Sequence, residues 1–180
     1  FILSQVLSQS YLEENFTVQI LDPACGSGIF LVEAYRRLVR YRIKKAGRPL
    51  SPIELREILR DQIRGIELNK NAIYVTAFSL YLALLHYQEP SDILARIKFT
   101  KSDDKPLPYL IYNADQVDKP NQYAVLFNCN AFALTKVERV QLQAKLEANP
   151  RRKTIKNLLN TYGNLPIESN SVDVIVGNPP

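Results

Sequence analysis

Between the β-branched run Thr17-Val18-Gln19-Ile20-Leu21 and an amphipathic stretch beginning at Ile29 lies the turn Asp22-Pro23-Ala24-Cys25-Gly26-Ser27-Gly28. A glycine-rich turn that leaves a buried strand and opens a helix constrains the fold more than any other segment of this chain. Gly26 and Gly28 allow a sharp bend that brings backbone N–H groups close to a ligand, and the positive end of the following helix points at the same place. A second strand-like run, Val172-Asp173-Val174-Ile175-Val176-Gly177, is followed at once by Asn178-Pro179-Pro180. Both motifs then meet at one edge of an α/β sheet.

The stretches between them alternate helix and strand. Phe1 to Asn15 has a helical spacing of apolar residues, and Ile29 to Lys45 has another, with Phe30, Leu31, Ala34, Leu38 and Val39 on one side. Ser51-Pro52-Ile53-Glu54 carries the cap, first-turn proline and acid of a helix start, and predicts a helix to about Gln62. Ile63 to Glu67 reads as a second parallel strand, Asn71 to Tyr87 as a broadly apolar helix, and Leu107 to Asn113 as a third strand ending just before Asp115. Beyond Asp118 the segment Tyr123 to Ala133 is mixed, and Lys136 to Ala148 is amphipathic and helical in spacing. The alternation predicts an open, doubly wound, mainly parallel sheet with right-handed crossovers.

Composition narrows the classes. A chain of 180 residues, 46% of them hydrophobic, can bury one ordinary core. Cys25 and Cys129 are the two cysteines and His86 the single histidine, so the residues supply neither a disulfide framework nor a metal-ligand cluster. No apolar run reaches the ~18 residues of a membrane span. The formal charge of +5 is compatible with a polyanionic partner and carries little weight alone. With Phe1 first, no methionine, and a motif ending at Pro180, the expectation is part of a longer enzyme.

Two acids follow strands. In doubly wound sheets an acid at the end of the second strand accepts hydrogen bonds from ribose hydroxyls, which is the expectation for Glu67; a solvated capping acid is the plainer alternative. Asp115 stands likewise after the third strand, where a carboxylate could accept from an adenine amino group; a plain loop aspartate is the equal alternative. Leu31 occupies the place of the third glycine of a dinucleotide G-x-G-x-x-G turn, which argues against a nicotinamide cofactor.

Asp22 to Leu31, then Gly65-Ile66-Glu67-Leu68-Asn69, then Asp173 to Pro180 resemble, in that order, the amino-terminal part of the catalytic domain of N6-adenine DNA methyltransferases of the restriction-modification type. The resemblance implies a Rossmann-like S-adenosylmethionine-dependent methyltransferase fold. It also implies cofactor contacts from Asp22, Ala24, Cys25, Gly26, Gly28, Phe30, Glu67, Leu68 and Asp115. Asn178, Pro179 and Pro180 would be the catalytic residues, with no metal. Duplex DNA with a flipped adenine is the implied partner, a specificity or nuclease subunit or fused domain a further one, and the bacterial cytoplasm the setting.

An adenine amino nitrogen is a poor nucleophile because its lone pair is delocalised into the ring. Acceptors that hold its two hydrogens, the Asn178 side-chain oxygen and the Pro179 carbonyl, would bind the developing tetrahedral nitrogen better than the planar one. The 180 residues span one partial catalytic domain, expected to transfer methyl groups weakly or not at all alone. The long stretch from Asp115 to Asp173 is read as a helical insertion, about 116–163, before the last strand; otherwise a residue near Asn160 or Asn164 takes the adenine-contacting place. Alternatives are an RNA-base or protein-glutamine methyltransferase using the same Asn-Pro-Pro chemistry, and a non-catalytic cofactor-binding module.

Overall fold

The computed structural model describes residues 2–97, 107–112, 124–131 and 172–177. Their strands are β1 (Ile20–Asp22), β2 (Ile63–Ile66), β3 (Leu126–Phe127) and β4 (Val174–Ile175), and their helices are α1 (Ile2–Val6), α2 (Gln9–Glu14), α3 (Ile29–Ala46), α4 (Pro52–Gln62), α5 (Lys70–Leu85) and α6 (Pro90–Ile97). The strands form one sheet of order β3-β2-β1-β4. Every pairing is parallel, with Ile20 opposite Ile63 and Val174, and Gly65 opposite Leu126. This is the expected Rossmann-like, doubly wound arrangement: the chain steps one way from β1 to β3, and β4 then lies on the other side of β1.

The two crossovers that step in the same direction share a sheet face by the right-handed rule, and α3 packs against α5 there. Leu31, Ala34, Tyr35, Leu38 and Val39 of α3 are buried against Ile73, Ala77, Leu80 and Leu84 of α5 and Leu55, Ile58 and Leu59 of α4. Tyr35 is wholly buried, and its hydroxyl donates to the Leu55 carbonyl at 3.2 Å. A Cβ on Gly65 would lie 2.6 Å from Leu31 Cδ1 and 2.9 Å from Leu126 Cδ2. The bare backbone there is what lets α3 settle onto the centre of the sheet.

Local signals set the helix ends. Ser51 and Glu54 form a reciprocal capping box with Pro52 in the first turn of α4. Asn69 caps α5 by accepting from the N–H groups of Asn71 and Ala72. The single helix expected from Phe1 to Asn15 is two helices, because the Ser8 hydroxyl accepts from Tyr11 N–H and starts a new one. The expected first strand, Thr17 to Leu21, enters its ladder late, at Ile20, and includes Asp22. α6 was not expected.

The third strand is a correction. Leu126–Phe127, within the mixed segment, takes the place beside β2 expected for Leu107 to Asn113. Leu110 and Ile111 lie outside it, joined by Val125 N–H to Leu110 O at 2.9 Å and one bridge from Ile111 to Leu126. Both segments have the composition of a strand, and tertiary fit decides between them: Leu126 packs over Gly65, while the Tyr81 hydroxyl of α5 anchors the Pro108 carbonyl at 2.7 Å. The range 116–163 read as an insertion therefore includes a strand of the sheet. Residues 132–171, with Asn160 and Asn164 among them, lie outside the described residues, as do Asp115 and 178–180. Among the described residues no helix is long and apolar enough to cross a membrane.

Candidate functional site

In a parallel sheet all carboxyl ends of strands share one edge. The crevice at that edge, where the winding reverses, is where open α/β sheets bind ligands. Here β1 is the reversal point. Its last residue, Asp22, is 1% exposed, and its Oδ1 accepts from Ala24 N–H at 3.1 Å. Burial pushes its carboxyl up to about 6; the Ala24 hydrogen bond opposes the shift, and the charge of Glu67 adds to it.

The turn after Asp22 is tied down on three sides. Cys25 N–H donates to the Ile66 carbonyl at the end of β2, at 3.0 Å. Gly26, with φ of +54°, donates its N–H to Glu67 Oε2 at 2.8 Å. The Gly26 carbonyl accepts from the Thr76 hydroxyl of α5 at 2.7 Å. Gly28 closes the turn by donating to Cys25 O at 2.7 Å and stands at φ of +81° as the residue before α3. A Cβ there would meet Thr76 Cγ2 at 2.6 Å, so only glycine fits both the conformation and the space. Burial raises the Cys25 thiol to about 12, which keeps it neutral, and its side chain fills a small space against Thr76. It is a packing residue of the turn.

Glu67 carries out a task that neither sequence reading foresaw. Besides Gly26, it accepts from Asn69 N–H through Oε1 at 2.7 Å, so one carboxylate links the first turn to the start of α5. Each oxygen retains acceptor capacity for a ligand hydroxyl. Leu68 beside it is 70% exposed, a large apolar side chain left in the open at the strand edge. Phe30 is half-buried, packed against the core from the first turn of α3.

The residue that follows β3 at this edge is Asn128. Its side-chain amide donates to the carbonyls of Glu67 and Leu68 at 2.8 and 3.0 Å. At the end of β4, a Cβ on Gly177 would stand 3.2 Å from Asp22 Oδ1. The Gly177 backbone is thus brought against the buried acid of the turn. Asp22, Ala24, Cys25, Gly26, Gly28, Glu67 and Leu68 converge on one edge, and Asn178, Pro179, Pro180 and Asp115 lie outside the described residues. Thr76 and Asn128 escaped the sequence reading. A signal existed for Thr76, the polar member of the buried row Ile73, Ala77 and Leu80; none existed for Asn128, whose strand had not been placed.

A cleft of about 450 Å3 opens at the opposite end of the sheet, lined by Thr17, Gln19, Arg42, Lys45, Glu54 and Asp61 among others. It shares no residue with the turn, and its charges are mixed. The strand-edge site is favoured by its backbone geometry.

These features agree with what the chain is similar to. An adenine-specific methyltransferase, PglX, of Streptomyces coelicolor is 30% identical over 87 residues, covering 47% of this chain and 7% of that protein's length. No solved structure matches the chain. The family described as MmeI, DNA-methyltransferase domain, matches residues 6–180. With nearly its whole length matched, the chain belongs to that family of DNA-methyltransferase domains.

Proposed function

We propose that this chain holds S-adenosylmethionine at the β1–β2 edge and belongs to an enzyme that methylates the exocyclic N6 amino group of adenine in DNA, within a bacterial restriction-modification or related defence system in the cytoplasm. The observation that carries the reading is the Gly26–Glu67 hydrogen bond, which joins a glycine turn to a strand-end acid at the reversal point of the sheet. Fit to the cofactor rests on the residues themselves. Asp22 is a buried carboxyl suited to a nearby cation, Glu67 keeps acceptors for a ribose, and exposed Leu68 offers an apolar face to a base.

When bound, the cofactor supplies an electrophilic methyl group on a sulfonium. The protein's share is orientation and hydrogen bonding. Asn178 and Pro179 accept the two amino hydrogens of a flipped adenine and favour the pyramidal nitrogen, which becomes acidic as it is methylated and then gives up its proton without a strong base. The closeness of the Gly177 backbone to Asp22 supports this reading. The PglX relative, named as adenine-specific, supports adenine over cytosine.

The test is methyl transfer by the full-length protein to duplex DNA, RNA and protein substrates, with position-specific analysis of the product. N6-methyladenine in DNA, lost in Asn178→Ala while cofactor binding persists, is the expected result. Transfer to another acceptor, or undiminished transfer by the variant, would overturn it.

A further inference from the structure

We infer that Thr76 is a positioning residue of the cofactor turn, holding the Gly26 carbonyl inward so that the next peptide N–H, that of Ser27, faces the ligand. The inference rests on the reading of this edge as the cofactor site. Thr76 is fully buried on α5, and a threonine inside a helix ordinarily returns its hydroxyl proton to the carbonyl one turn back. Here the proton goes to Gly26 O at 2.7 Å, and the methyl of the same side chain fills the space that a Cβ on Gly28 would need. The two ends of one side chain thus touch both glycines of the turn.

The consequence follows from peptide geometry. Across a trans peptide the C=O and the following N–H point in opposite directions. An inward Gly26 carbonyl therefore turns the Ser27 N–H away from Thr76. Ser27 itself is exposed, at the mouth of the turn. Gly26 has no side chain to oppose rotation of this peptide, so without the hydroxyl the plane is free to turn over. A reversed plane presents a carbonyl oxygen where a donor is needed. The ligand group most sensitive to that exchange is an anion, and the α-carboxylate is the anionic end of S-adenosylmethionine.

The experiment measures binding of S-adenosylmethionine and of 5′-methylthioadenosine, which lacks the amino-acid end, to the full-length protein and to Thr76→Val, Thr76→Ala and Thr76→Ser. The valine and alanine variants should bind S-adenosylmethionine about tenfold more weakly, the scale of one lost buried hydrogen bond. They should bind methylthioadenosine as the wild type does, and the serine variant should match the wild type for both. The alanine variant, which adds no bulk, carries the test if the valine variant fails to fold. Unchanged affinity in the alanine variant, equal weakening for both ligands, or failure of serine to restore binding would overturn the inference. Wild-type protein that binds neither ligand would instead overturn the cofactor reading beneath it.

Discussion

Glu67 Oε2 accepts from Gly26 N–H at 2.8 Å while its Oε1 accepts from Asn69 N–H at 2.7 Å, so a single carboxylate bridges two loops that are far apart in sequence. Replacing Glu67 by Gln exchanges one acceptor oxygen for an amide NH2 donor, and one backbone donor loses its partner. The expected cost is about 1–2 kcal/mol of stability, with S-adenosylmethionine affinity reduced more than tenfold because a ribose acceptor is lost at the same time. Thermal unfolding and calorimetric titration of the full-length variant read the two effects separately. An affinity equal to that of wild type would remove Glu67 from the site.

Asp22 predicts a pH dependence. Its carboxyl is pushed up to about 6 in the folded protein, against an ordinary value near 4 in an unfolded chain. The folded state thus holds this proton more tightly. The stabilisation is fully present below about pH 4 and is lost as pH rises through about 6, a change of about 3 kcal/mol. Asp22→Asn, which keeps an oxygen for Ala24 N–H, should gain stability relative to wild type across this interval. Parallel curves from denaturant titrations at pH 4.5 to 7.5 would contradict it. A bound cation favours the ionised form, so wild-type affinity for S-adenosylmethionine should rise with pH through about 6, and that of the variant should not.

Gly65 tests the packing that seats α3 on the sheet. A methyl group there meets Leu31 Cδ1 and Leu126 Cδ2 well inside van der Waals contact. Gly65→Ala should destabilise the domain by about 1–3 kcal/mol. Combining it with Leu31→Val, which withdraws the nearer methyl, should cost less than the sum of the single changes. Strict additivity in urea unfolding would show that the clash is relieved elsewhere.

The residues that were legible in the sequence carry their instructions locally. Ser51, Pro52 and Glu54 start α4 by a side-chain box that needs nothing from the rest of the chain, and Gly26 and Gly28 announce a turn by their own conformational freedom. The third strand was not legible because Leu107 to Asn113 and Val125–Phe127 are equally suited to a sheet. Their order is settled by Leu126 fitting over Gly65, some sixty residues earlier, and by Tyr81 anchoring Pro108. Misplacing that strand hid Asn128 as well. Thr76 differs, since as the polar member of an apolar row it is visible in the sequence, while the partner that gives its hydroxyl a task, the Gly26 carbonyl, is set by the fold.

Asn128 yields the last prediction. Its amide nitrogen donates to the carbonyls of Glu67 and Leu68, two consecutive peptides at the point where the chain leaves β2 for α5. Glu67 can reach Gly26 only while that backbone holds its direction, so Asn128 acts on the turn through Glu67. Asn128→Asp keeps the size and removes the donor, and its negative charge would face two carbonyl oxygens and lie near the Glu67 carboxylate. The expected outcome is a tenfold or greater loss of S-adenosylmethionine affinity, about 1.4 kcal/mol. Asn128→Ser, with one hydroxyl donor on a shorter arm, should recover part of it. In a double-mutant cycle with Glu67→Gln the losses should fall short of additivity, because both substitutions disable the same link; fully additive losses would mean that Asn128 acts on the ligand by another route.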